Sequence, residues 1–239
     1  MSGSGGAVAF VVALGLVWSA EQPPANRAAL ADFERRVTAN PEDLFVAADY
    51  RQMTIAAGEY DRSIHLLEKL ADAKNSGPNV HISLALALVD KVPPSGDVRR
   101  LFLARDAMSA ATHSIERRPS VLAYYIRGLI SLYFNRFMFH RVPQGIQDLE
   151  QARRRCDAST PPALVARVLV SLGDGYWKND QRDKAREVWQ GAAARFPNDA
   201  ALKRRLSDER ETERAVFEAL YASTRVDTSL REMRGASLK

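Results

Sequence analysis

The sequence predicts an all-α chain built from stacked helical hairpins, and three observations carry that prediction. Apolar residues recur at intervals of three and four, as in Ile64, Leu67, Leu70 and Ala71, which is the period of a helix with one buried stripe. Breakers such as Asn75-Ser76-Gly77-Pro78 and Val92-Pro93-Pro94-Ser95-Gly96-Asp97 divide this pattern into helix-length pieces. Between 162 and 197, small residues (Gly173, Ala185) alternate with large ones (Tyr176, Trp189) where two helices must approach and the gap must be filled.

Composition narrows the function classes. The chain has 239 residues, 46% hydrophobic and 26% charged, which is globular composition. Hairpins that bury their faces only against neighbours form one elongated domain. The net charge of +5 comes mostly from arginines spread along helices. No lysine/arginine block is interleaved with aromatics, so nucleic acid is not an expected partner. Arg153-Arg154-Arg155 reads as a solvated helix end, where cations suit the helix dipole. Cys156 is the single cysteine and allows no intrachain disulfide.

The stretch 162–197 fixes the hairpin type. Leu169, Leu172-Gly173 and Tyr176, then Ala185, Trp189, Ala192 and Pro197, follow one another at set intervals. This order resembles the tetratricopeptide repeat (TPR), a helix-turn-helix unit of about 34 residues. Leu169 stands for the repeat's first aromatic and Trp189 for its phenylalanine. The resemblance implies a right-handed superhelical stack of about four such pairs over residues 25–222, with a capping helix at each end.

Taken in order, residues 1–22 read as a signal peptide or an N-terminal membrane anchor. The run 5–20 is uncharged and apolar but short for a span, and Val17-Trp18-Ser19 suits cleavage after Ser19. No lysine or arginine precedes it, so an uncleaved anchor and a cytosolic chain stay open beside export to the periplasm or another exported location. Leu30, Phe33 and Val37 share one face of a covering helix over 25–39. The first hairpin spans 41–74, with Asn40 as cap and Pro41 in the first turn. It is degenerate: Arg51 stands at the glycine position and Ser63 at the alanine position. The second, 79–118, carries a lengthened turn, with Ala107, Ala111 and Ile115 on its closing helix. The third, 119–157, places Gly128 at the small position and has extra residues containing Phe137 before Gly145. The fourth is 162–197. Residues 198–222 form a cap, and 223–239, with little apolar periodicity, form a flexible tail.

Chemistry is not written in the chain. His65, His81, His113 and His140 are scattered, no metal-ligand spacing occurs, and Gly3-Ser4-Gly5-Gly6 lacks the lysine of a phosphate loop. No catalytic residue, metal or cofactor is therefore expected. The resemblance implies that the first helices of successive pairs line a concave groove. Register from Gly173 gives Arg167, Val170, Asp174, Trp177 and Lys178; register from Gly128 gives Leu122, Tyr125, Leu129, Leu132 and Tyr133, joined by Phe137. This surface lacks the Lys/Asn clamp by which some members of the family hold a C-terminal carboxylate. It suits an apolar or aromatic segment of another protein. Two alternatives stand beside it: the aromatics of the third hairpin pack internally, or its long turn roofs a small-ligand pocket of an exported transport or assembly component. The apolar groove also allows self-association.

Overall fold

The computed structural model describes residues 24–133, 140–222 and 228–234. The apolar run 5–20 and Phe137 lie outside the described residues. Among these residues there is no strand, and no helix is long and apolar enough to cross a membrane. The helices are α1 Pro24–Ala39, α2 Leu44–Ala57, α3 Tyr60–Ala71, α4 Pro78–Asp90, α5 Asp97–Arg117, α6 Val121–Tyr133, α7 Val142–Arg155, α8 Pro162–Lys178, α9 Arg182–Arg195, α10 Ala200–Arg205 and α11 Glu209–Phe217. A π-helical turn, Glu218–Ala222, continues α11, and a 3-10 turn spans Arg231–Met233.

These helices pair as α2/α3, α4/α5, α6/α7 and α8/α9, and each closing helix packs on the opening helix of the next pair. The result is a superhelical stack. At its start α1 covers α2 and buries Leu30 and Val37 completely. At its end α10 packs on α9 and α11 lies against α10 and α8.

The first hairpin starts later than Asn40 and Pro41 suggest. Asp43 caps α2, its carboxylate accepting from the Phe45 and Val46 amides at 3.0 Å. Asn40 and Pro41 instead form the turn leading in, closed by the Asp43 amide on the Asn40 carbonyl. Glu42, freed from α2, caps a different helix: its carboxylate accepts from the Asn79 and Val80 amides at the start of α4, each at 3.1 Å. The lengthened turn after α4 is held by Arg100, which donates to the Val92, Pro93 and Ser95 carbonyls.

Helix approach follows the small residues. A Cβ at Gly128 would sit 2.9 Å from Leu149 and 3.2 Å from the Gly145 carbonyl, so α6 and α7 touch backbone to backbone. A Cβ at Gly173 would lie 2.1 Å from Nε1 of Trp189. That indole is fully buried and donates to the Val170 carbonyl at 3.1 Å, so it has nowhere to go.

One expectation is corrected. The tail from 223 was expected to be flexible, but Thr228, Ser229 and Leu230 are buried. They make no helix stripe, which is why periodicity does not reveal them; side chains far away in sequence hold them.

Two outcomes follow from this packing. Gly173→Ala overpacks the α8/α9 contact and should lower stability by about 1–3 kcal/mol. Gly191→Ala, in the exposed middle of α9 with open space around it, should raise stability by about 0.5–1 kcal/mol. Denaturant melts of both variants check the pair. His81 supplies a pH dependence. Burial first, then Arg117 and His113, push its imidazole down to about 4 from the ordinary 6.5. The unfolded chain therefore binds a proton that the folded chain refuses between those values, and stability falls as pH drops from about 6.5 to about 4. His81→Gln should flatten that slope in melts across the same range.

Candidate functional site

The opening helices α4, α6 and α8 line the concave side, and a groove of about 480 Å³ lies between them. Leu86 and Val89 come from α4, Leu122, Tyr125, Leu129 and Tyr133 from α6, and Leu164, Arg167, Val170 and Asp174 from α8. The groove sits over a seam. The core divides into one cluster centred on the first hairpins and another around Trp189, and Tyr125 packs against both. Apolar side chains at that seam form the floor.

Of the ten residues assigned to partner binding, six meet here: Leu122, Tyr125, Leu129, Tyr133, Arg167 and Asp174. Leu122 is nearly buried in the floor, Leu129 is half-buried, and Tyr133 and Arg167 are exposed at the rim. Asp174 is buried and takes two bonds from Arg205, at 2.5 and 2.6 Å. Burial pushes its carboxyl above the usual carboxylate range, and the guanidinium opposes that shift.

Three assigned residues lie elsewhere. Leu132 is fully buried, filling the space over Gly145 and Gly175 that those glycines leave between α6, α7 and α8. Lys178 is buried and donates to the Leu132 carbonyl. Trp177 packs 5.7 Å from the Trp189 ring, in one cluster with Val216 and Leu220, and Arg182 covers its face at 4.7 Å. The register assumes that the groove continues past α8. The chain instead folds α11 onto that face and turns its end into core.

Other features were missed. One wall of the groove comes from Glu218–Leu220, Leu230 and Met233, the C-terminal part of the chain. At the α2 end, Arg51 and Asp90 form a buried ion pair at 2.7 Å. The available signal was an arginine among Ala47, Ala48, Tyr50 and Thr54, all buried. A charge within such a stripe needs a partner.

Among the described residues no three His, Cys, Asp or Glu side chains gather as a metal site. Burial pushes the Cys156 thiol above its ordinary range, away from the reactive thiolate, and the thiol donates to the Ala152 carbonyl at 3.4 Å.

The Asp174–Arg205 pair ties α8 to α10 beneath the groove. Asp174→Ala strands a buried guanidinium and should cost about 3–5 kcal/mol. Asp174→Leu with Arg205→Met should recover most of that, since a well-packed apolar pair replaces a buried ion pair at little cost. Denaturant melts of the single and double variants measure the difference.

No protein-family model matches the chain, and no curated protein matches it. Among solved structures, it is similar to TTC0263, a thermophilic TPR protein of Thermus thermophilus. The TM-score is 0.56 at 20% identity, over 76% of this chain and 88% of that one. A structure of MamA aligns at 16% identity with a TM-score of 0.48, over 71% of this chain and 82% of that one, too loose a likeness to bear on the architecture. With opening and closing helices alternating along the stack and Gly173 seated on Trp189, the chain has the fold of a tetratricopeptide-repeat protein.

Proposed function

We propose that this protein is a non-catalytic interaction scaffold that holds a segment of another protein in its concave groove. The observation behind this reading is the convergence of Leu122, Tyr125 and Leu129 on one apolar floor with Tyr133 and Arg167 at its rim. Aromatic and aliphatic anchors set in a desolvated pocket carry most of the energy of such contacts, and rim charges orient the partner. The segment that fits is apolar or aromatic, with a charge at its rim. The apolar run 5–20 supports an exported or membrane-anchored setting for this work.

A second reading is favoured by one observation. Leu220, Leu230 and Met233 wall the groove on a third side and bring its volume to about 480 Å³, which lies within the range of small-ligand sites. An apolar small molecule is the occupant in that case.

The test is affinity capture from the native envelope fraction, read by mass spectrometry, with native mass spectrometry of the purified chain beside it. Tyr125→Ala with Tyr133→Ala should stay helical by circular dichroism and capture its protein partner at least about tenfold less, the loss expected of two anchors. Capture unchanged by the substitutions removes the groove from the reading. A discrete extra mass on the intact chain, absent from the variant, moves the assignment to the small ligand.

A further inference from the structure

The C-terminal residues 228–234 dock on the stack as a peptide would. Arg51 of α2 and Asp90 of α4 stand side by side, and Thr228 bridges them. Its carbonyl accepts from Arg51 Nη2 at 2.6 Å, and its hydroxyl donates to the second oxygen of Asp90. All three residues are buried. Two positions on, Leu230 enters the apolar cluster of the first hairpins, its backbone in the left-handed region at φ 58°. Four further on, Arg234 reaches the exposed side of α2, donating to the Asp49 carboxylate at 2.5 Å and the Phe45 carbonyl at 3.2 Å. Its guanidinium also lies 5.2 Å from the Phe45 ring. Between these anchors, Arg231–Met233 touches α8, so the segment crosses from the first hairpin to the fourth.

Helical backbones satisfy their own hydrogen bonds, so an irregular segment on a helical surface must find side-chain donors and acceptors. Arg51 and Asp90 provide one of each. We infer that Arg51 and Asp90 form a recognition site for an extended partner segment carrying a threonine or serine, a leucine two residues later and a cation four beyond that. Residues 228–234 are its resident occupant in cis, and a partner of that chemistry binds by displacing them. The inference rests on the groove reading above, and adds the partner's chemistry and the segment it must displace. The charges agree: Asp90 and Asp49 face the hydroxyl and the cation, and Arg51 faces a carbonyl. Charge-assisted bonds of this kind give both strength and orientation.

The test uses the full chain and, as probe, a fluorescein-labelled peptide of residues 226–236, followed by fluorescence anisotropy. In the intact chain the tethered segment holds the site at a high effective concentration, so the probe binds weakly. Leu230→Asp in the chain should tighten probe binding by at least about tenfold. Arg234→Glu, at the exposed end where folding is not at stake, should tighten it by about threefold. A probe carrying Thr228→Val should bind the Leu230→Asp chain at least about tenfold more weakly than the native probe. Equal affinity for the intact chain and both tail variants overturns the inference, and so does equal affinity of the two probes. Absence of probe binding to every chain, each still helical by circular dichroism, also overturns it. In that last case, capture that still depends on Tyr125 and Tyr133 leaves the groove reading standing and removes this site alone.

Discussion

A helical hairpin buries the stripe between its own two helices and leaves its outer faces apolar until another hairpin covers them. Most of this molecule follows from that constraint. Stacking covers the faces between hairpins, so the exposed problems are the two ends and the inner curve. At one end α1 brings Leu30 and Val37 onto α2; at the other α10 and α11 close over α9 and α8. The inner curve is covered at its α2 end by residues 228–230 and holds the groove over α6 and α8, where the two core clusters meet at Tyr125. Groove and caps are therefore two outcomes of one requirement.

Among the described residues, three buried or nearly buried ion pairs mark the joins. Arg51–Asp90 links α2 to α4, Arg127–Asp148 links α6 to α7, and Asp174–Arg205 links α8 to α10. Desolvation takes back most of what such pairs gain, so they are weak sources of net stability. Their effect is on the alternatives. An apolar stripe can slide along its neighbour at small loss, whereas a guanidinium moved off its carboxylate is left buried and unpaired. The pairs hold each join in one register, and two of the three, Arg51–Asp90 and Asp174–Arg205, stand at opposite ends of the concave side.

What the sequence discloses depends on how local the cause is. The fourth hairpin is legible because Gly173, Ala185 and Trp189 lie within one repeat and their sizes answer one another. The α6 positions are mostly legible for the same reason, since register from Gly128 picks out Leu122, Tyr125, Leu129 and Tyr133, which all line the groove. Leu132, Trp177 and Lys178 are misplaced by that reasoning because their surroundings come from beyond their own hairpin: Gly145 and Gly175 make room for one, α11 covers another, and the Leu132 carbonyl takes the third. The start of α2 shows the same limit on a smaller scale. Asn40 and Pro41 are sound start signals, but Asp43 captures two amides and Glu42 is committed to α4. The docked C-terminal segment is least legible of all, since Thr228 meets an arginine 177 positions earlier.

That distance explains how a degenerate repeat acquires a role. In α8 the small position holds Gly173 and is used up by Trp189. In α2 the same position holds Arg51, and its own closing helix offers Ser63 in place of a small apolar residue. Arginine there turns its guanidinium to the concave side, because Asp90 of the next opening helix is the acceptor within reach. A position that normally serves packing within one hairpin now serves contact between hairpins, and a second donor of the same guanidinium takes a carbonyl from outside the helices. Between its ends a helix has no backbone donors left to offer an irregular segment. On such a surface, the places where a segment can be gripped through its backbone are set by substitutions of this kind, and the departure of the first hairpin from the pattern is what gives the stack a polar foothold at that end.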